Sequence, residues 1–290
     1  MKVTKHSASD IPELHADLEE ADQRMMLHMK HAVGVGNRKY GLFIATDTHI
    51  AVTSISSFDL LGLCEVYQCI NSRLVPLHVI YNQLGPLKAR ALIAFHCRTG
   101  CDTTSHLSCR KSKKTLWAQV CKNPETLAGM ASFGQTSITP REIPQWLVEF
   151  IVAAYGCHSN FTDLTTARIS LFKALTKRKV DADINRCFPP TAKVLIPHLQ
   201  RAALQTFISR QCCTPPPVHV PDAISFGWRR DETMLVPVTI LEPETIDLIQ
   251  DVTNLSDEDN SSASDDDEFS SDTDSVAETI PYINTDNDSD

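Results

Sequence analysis

Gly41-Leu42-Phe43-Ile44-Ala45-Thr46-Asp47 is the stretch on which the fold turns. A short apolar run bounded by Gly and closing on an acid reads as a buried β-strand with a carboxylate at its end. Residues 50–55, with Ile50, Val52 and Ile55, read as a second buried strand, and Arg73 to Pro76 as a third. Helices flank them. Ile11 to Ala32 carries Leu14, Leu18, Ala21, Met25 and Leu27 at a rough helical period and stops near Asn37-Arg38-Lys39. His78 to Leu84 reads as a helix ended by Gly85-Pro86, because a proline disfavours helix in the residue before it. Lys88 to His96 and Thr115 to Val120 follow as helices, with Asn123-Pro124 as a break. Alternating strand and helix indicates α/β architecture.

Beyond Pro140 the pattern becomes all-helical, with Gln145–Tyr155, Asp163–Thr176 and Thr191–Ser209, the last interrupted at Pro197. Thr214-Pro215-Pro216-Pro217 reads as a stiff connector. Phe226-Gly227-Trp228 and Met234–Ile240 read as a small strand pair that packs back. The resulting organisation is 1–135, 136–213, 214–250 and 251–290: an α/β domain, a helical extension, a linker with a packed-back segment, and a tail.

Three acidic positions carry the chemistry: Glu20-Ala21-Asp22, Asp47, and Asp102 in Gly100-Cys101-Asp102. Hard divalent ions need oxygen ligands, and carboxylates from separate elements can converge on one. Two such ions can clamp the attacking and leaving oxygens of a phosphodiester. Glu20 and Asp22 pose a geometric problem, since residues i and i+2 of a regular helix face nearly opposite ways. They can share an ion only if Glu20 stands at or before the first turn, which conflicts with a helix starting at Ile11. A break near Asp17–Glu19 would remove the conflict.

Charge is unevenly distributed. Of 36 acids, 14 fall in residues 251–290, which contain no Lys or Arg; the other 22 face 27 bases, leaving residues 1–250 at +5. A mildly basic body is compatible with a polyanionic partner. The tail is Ser-, Asp-, Asn- and Glu-rich, too poor in apolar residues to order itself, and disorder is expected there. The N-terminus lacks an apolar signal core, and the apolar run Trp146 to Cys157 is too short to span a bilayer, so a soluble nuclear or cytoplasmic chain is expected. Ten cysteines without a Cys-x-x-Cys pair argue against structural zinc.

Arg110, Lys111, Lys113 and Lys114 form a basic stretch after Asp102, read either as phosphate contacts or as a solvated helix start. Ile246-Asp247-Leu248-Ile249, trailed by acids, resembles a SUMO-interacting motif, which would add a strand to a partner's sheet edge. A helix packing on the body through Ile246, Leu248 and Ile249 is the other reading.

Three segments together resemble the flap-endonuclease/XPG-type branch of the PIN-like nucleases: Glu19-Glu20-Ala21-Asp22-Gln23-Arg24-Met25, Ala45-Thr46-Asp47-Thr48-His49, and Thr99-Gly100-Cys101-Asp102-Thr103-Thr104. The closer resemblance is to an invertebrate, often multicopy and transposon-associated group, which shares Gly227-Trp228 and Leu235-Val236-Pro237-Val238. It covers roughly residues 12–240. The resemblance implies a partial PIN-like sheet with helices and a site for Mg²⁺ or Mn²⁺ built from Glu20, Asp22, Asp47 and Asp102. It implies Asp47 and Asp102 at the C-terminal ends of neighbouring parallel strands or in the loops just after them, with DNA as partner. If active, such a chain would be a divalent-metal-dependent endonuclease or 5′ nuclease. Two departures point to incomplete catalysis. His49 stands where the family's second strand-end acid belongs, and an imidazole suits Mn or Zn better than Mg. The family's two earliest acids precede the matched region and have no counterpart, as in a chain truncated at the N-terminus. A non-enzymatic nucleic-acid-binding or protein-interaction module on the same scaffold is the rival expectation.

Overall fold

The computed structural model describes residues 2–3, 8–16, 18, 20–107, 111–135, 143–157, 161, 163–177, 188–214 and 219–240. All belong to one compact unit, Met1–Ile246. Arg110, the segment Ile246–Ile249 and the acidic tail 251–290 lie outside the described residues. The architecture is mixed α/β with small sheets and a helical majority.

Two short strands, β1 (Lys2–Val3) and β2 (Ala8–Ser9), pair antiparallel ahead of a 3-10 turn at Pro12–Leu14. Helix α1 runs from Ala21 to Gly36. It starts ten residues later than the apolar period suggests, because Glu20 is extended (φ −78°, ψ 138°) and closes the helix off as its N-cap. Asn37 ends it in the left-handed conformation that Asn tolerates.

β3 (Tyr40–Ile44), β4 (Glu65–Ile70) and β5 (Arg73–Pro76) form the central sheet in that order. β3 and β4 are parallel, and β4 and β5 form an antiparallel hairpin. Gly41 is where α1 approaches β3: a Cβ there would sit 2.8 Å from a Leu63 methyl and 3.0 Å from the Met29 sulfur. The inward residue Phe43 is buried, while Tyr40, Leu42 and Ile44 stand exposed on the outer face.

Residues 50–55 are not a strand. They lie in α2 (Thr48–Ser56), capped by Asp47, whose Oδ1 accepts from the His49 amide at 2.6 Å. Ile50, Val52, Thr53, Ser54 and Ile55 are all buried, so this helix is enclosed nearly all round. Periodicity cannot separate such an element from a buried strand. α3 (Phe58–Leu61) is a single turn ended by Gly62.

α4 (Leu77–Thr99) is two helices joined at Gly85 (φ 75°, ψ 163°) before Pro86, matching the expected break. α5 (Lys113–Lys122), α6 (Pro124–Ser132), α7 (Gln145–Ala154), α8 (Leu164–Lys177) and α9 (Ala192–Gln211) follow. α9 runs on through Pro197 rather than breaking there. The largest core draws Ala91 and Phe95 of α4, Leu116 and Val120 of α5, Met130 of α6, Phe150 and Ile151 of α7, and Leu195 and Leu199 of α9 into one cluster. That core spans both sides of residue 135.

The strand pair expected near the end is present as β6 (Trp228–Asp231) and β7 (Met234–Pro237), antiparallel. It is seated on α9 through Gly227, whose φ of +74° and approach to Pro197 leave no room for a Cβ, which would lie 2.4 Å from the Pro197 carbonyl oxygen. Arg201 donates to the Gly227 carbonyl oxygen at 2.9 Å and completes the anchor. Among the described residues, no helix is long and apolar enough to cross a membrane.

Candidate metal centre

The late start of α1 brings Glu20 and Asp22 to one point. Glu20 is extended and precedes the helix, while Asp22 stands in the first turn, so the opposite-face constraint does not apply. Acids at a helix N-terminus also face the positive end of its dipole. The second contribution comes from the β3–α2 turn. Asp47 caps α2 and sets the orientation of its first turn, which carries His49 inward. Gln68, wholly buried on β4, holds the same turn by donating to the Ala45 carbonyl oxygen at 2.9 Å and to that of Asp47 at 2.8 Å.

Glu20, Asp22 and His49 each offer a ligand atom, and these atoms lie within 4.8 Å of one another. Ligands bound at about 2.0–2.4 Å around one ion are at most about 4–5 Å apart, so the three can touch a common cation. Buried amides support the arrangement. Gln23 donates to Glu20 Oε2 at 3.1 Å, and Gln205 of α9 reaches the same oxygen at 3.5 Å. His49 is 6% exposed, and its Nε2 lies 3.3 Å from the Ser209 hydroxyl. Burial raises the Glu20 carboxyl pKa, His49 opposes this and the negative charge of Asp22 adds to the rise. A bound dication would reverse that balance, as the donor set fits it to do.

Two further groups flank the cluster. His96 of α4 packs against His49, ring centroids 5.4 Å apart, and burial followed by the His49 charge lowers its pKa to about 4. It is therefore neutral near pH 7. Cys101 contacts the hydroxyls of Thr103 at 3.4 Å and Thr104 at 3.0 Å. A hydrogen bond from Cys97, aided by those hydroxyls, holds its thiol down at about 4 despite burial.

Of the four acids read from the sequence, only Glu20 and Asp22 join this cluster. Asp47 follows a strand as expected, but one of its oxygens is committed to the cap. Asp102 does not follow a strand. It lies in the exposed loop after α4, within a turn closed by the Cys101–Thr104 bridge, because the run before it is helical. The third member of the cluster is His49, from the first turn of α2. His96 and Gln205 carry no local sequence signal; they arrive through α4 and α9.

The basic stretch flanks the Asp102 loop. Ser112 caps α5 by accepting from the Thr115 amide, and Lys113 Nζ donates to the Gly100 carbonyl oxygen at 2.7 Å. Lys113 and Lys114 are exposed in the first turn of α5. Comparison with protein-family models, with curated proteins and with solved structures finds no match for the chain.

Proposed function

We propose that this protein is a nuclease-derived, divalent-cation-binding protein in which Glu20, Asp22 and His49 hold one ion beside a nucleic-acid-binding surface. The observation that carries the reading is the convergence of two carboxylates and an imidazole within 4.8 Å, from two helix starts separated by a β-strand. The mixed oxygen and nitrogen donor set favours Mn²⁺ over Mg²⁺. A bound ion would supply charge neutralisation for a phosphate oxygen. The chain's own residues would orient that phosphate: Lys113 and Lys114 provide positive charge by the Asp102 loop, and neutral His96 stands beside the ligand imidazole. Asp47 and Asp102 lie outside the three-residue cluster, so the reading is a single-ion site with incomplete catalysis, within a PIN-like remnant. DNA is the proposed partner.

The test is calorimetric titration of the full chain with Mn²⁺, Mg²⁺ and Zn²⁺. One Mn²⁺ per chain is expected, tighter than Mg²⁺, and about 2.7 kcal/mol of added stability at a hundredfold excess over Kd. Glu20→Gln and Asp22→Asn should abolish it. Because the Glu20 pKa is raised by burial, affinity should climb with pH as that carboxyl loses its proton. Absence of any cation-dependent heat or stabilisation would reject the site. Metal-dependent cleavage of flap DNA that is lost in Glu20→Gln would convert the reading to an active nuclease, whereas DNA binding that needs no cation would support a binding module.

A further inference from the structure

A pocket of about 410 Å³ is lined by Asp102, Arg201, Leu204, Gln205, Ala223 and Trp228 among others. Its volume falls in the range of small-molecule sites. Its walls have three different origins: the Asp102 loop, the buried face of α9, and the β6–β7 hairpin with the 3-10 turn before it (Ala223–Phe226). The hairpin is fixed in place, since Gly227 abuts Pro197 and Arg201 donates to Gly227, and the Val238 amide donates back to the Gly227 carbonyl oxygen at 2.9 Å. The pocket is therefore preformed.

We propose that this pocket takes an unpaired nucleobase of a nucleic-acid strand whose backbone passes the cation cluster. This rests on the preceding reading of the cluster for the strand's direction, but not for the base contact itself. Trp228 supplies a flat aromatic surface at the start of β6, with the Arg201 guanidinium 5.9 Å from its ring, a pairing that suits stacking of a planar heterocycle. Leu204 and Ala223 give the apolar edges a base needs on its faces. The polar edge is met by Gln205, with both donor and acceptor, and by the Asp102 carboxylate, an acceptor only. A carboxylate facing the pocket favours bases that present N–H donors, and guanine offers two in parallel on its pairing edge. Gln205 links the two places: its amide nitrogen lies 3.5 Å from Glu20 Oε2, and the residue also lines the pocket. A base held here is unpaired, because duplex stacking would exclude the Trp228 face.

The experiment uses the full chain in EDTA, so that cation binding plays no part. Fluorescence anisotropy would report affinity for a dye-labelled single-stranded dodecamer, for the matching duplex, and for an abasic dodecamer of the same charge. Binding of the single strand at least tenfold tighter than the abasic strand is expected, with loss of that difference in Trp228→Ala and its partial return in Trp228→Phe. Guanine-rich strands should bind best, and Asp102→Asn should reduce that preference. Crosslinking of the unaltered protein to a 4-thiothymidine strand should mark the peptide containing Trp228 or that containing Leu204, an arm that does not depend on any variant folding. Equal affinity for abasic and normal strands, or crosslinks confined elsewhere, overturns the proposal. Glu20→Gln separates the two readings: it should abolish Mn²⁺ binding and leave the base contact intact, so loss of one without the other identifies which reading has failed.

Discussion

Arg98 and Glu20 are both charged groups drawn away from water, and the protein treats them in opposite ways. Glu20, half-buried, has the Gln23 and Gln205 amides at 3.1 and 3.5 Å from one oxygen and lies within 4.8 Å of Asp22 and His49 ligand atoms. Arg98, only 2% exposed in the helical core, has none of its three guanidinium nitrogens hydrogen-bonded. It lies instead over Phe133, 3.5 Å from the ring centroid, and 4.9 Å from that of Trp146. Burial pulls its pKa down to about 9. A buried charge with fitted polar neighbours has the character of a binding site. A buried charge stacked between rings has the character of a packing solution, in which the long stem and flat head fill space and ring quadrupoles offset part of the desolvation.

The strongest way to break that contrast is to remove the Arg98 head in two manners. Arg98→Ala empties the space between Phe133 and Trp146, and should cost about 3 kcal/mol. Arg98→Met keeps most of the volume and discards the unsatisfied donors, so stability should hold or rise by about 1 kcal/mol. Urea unfolding of both variants measures the difference. If Met is as damaging as Ala, the stacked charge itself is stabilising and the packing account is wrong.

A second, smaller effect sharpens the other half. His96 in the folded chain has its pKa lowered from 6.5 to about 4 by burial and His49. Below pH 6.5 the unfolded chain therefore binds more protons than the folded one, so stability must fall as pH drops through about 6.5 towards 4. The full shift would correspond to somewhat over 3 kcal/mol; partial exposure of His96 reduces the expectation to roughly 2 kcal/mol. Thermal melts in EDTA from pH 7 to 4 should show this slope, and His96→Gln should flatten it. A slope unchanged by the substitution would place the acid-sensitive group elsewhere.

The sequence made some of this legible and hid the rest for physical reasons. Gly85-Pro86, Asn123-Pro124 and Gly227-Trp228 mark a kink, a helix boundary and a hairpin start, because each is a local backbone restriction that survives in any tertiary setting. α2 was misread because Ile50, Val52 and Ile55 are β-branched and buried on all sides, and the Asp47 cap outweighs their propensity. β4 gave no reading at all: Glu65, Tyr67 and Gln68 break its apolar character, though Gln68 is wholly buried. In the site, Glu20 and Asp22 were found, and the break that lets them converge was stated as a condition. His49 is legible as a donor that suits Mn or Zn, but its meeting with Glu20 and Asp22 is visible only in the fold. Gln205 and Ser209 were out of reach, since they meet the cluster across 185 and 160 residues.

Charge segregated along the sequence completes the comparison and gives the smallest expected effect. Residues 251–290 carry 14 acids and no Lys or Arg, against a net +5 for residues 1–250. Charges interact through solvent over about 10 Å at 0.1 M salt. The basic side chains Lys113 and Lys114, beside the Asp102 loop, are exposed and open to a nucleic acid. Competition between that nucleic acid and the chain's own acids follows from charge alone. Removing residues 251–290 should strengthen single-strand binding about threefold at 50 mM salt, and the gain should fade as salt approaches roughly 0.5 M. The same deletion should leave Mn²⁺ binding at Glu20, Asp22 and His49 nearly unchanged, because ligand atoms in direct contact with an ion outweigh salt-screened charge. Anisotropy across a salt series, run beside Mn²⁺ calorimetry, tests both statements. A gain that persists at high salt would show that the tail occludes the surface by direct contact, and an equal change in Mn²⁺ affinity would show that the cluster is less enclosed than Glu20 and His49 indicate.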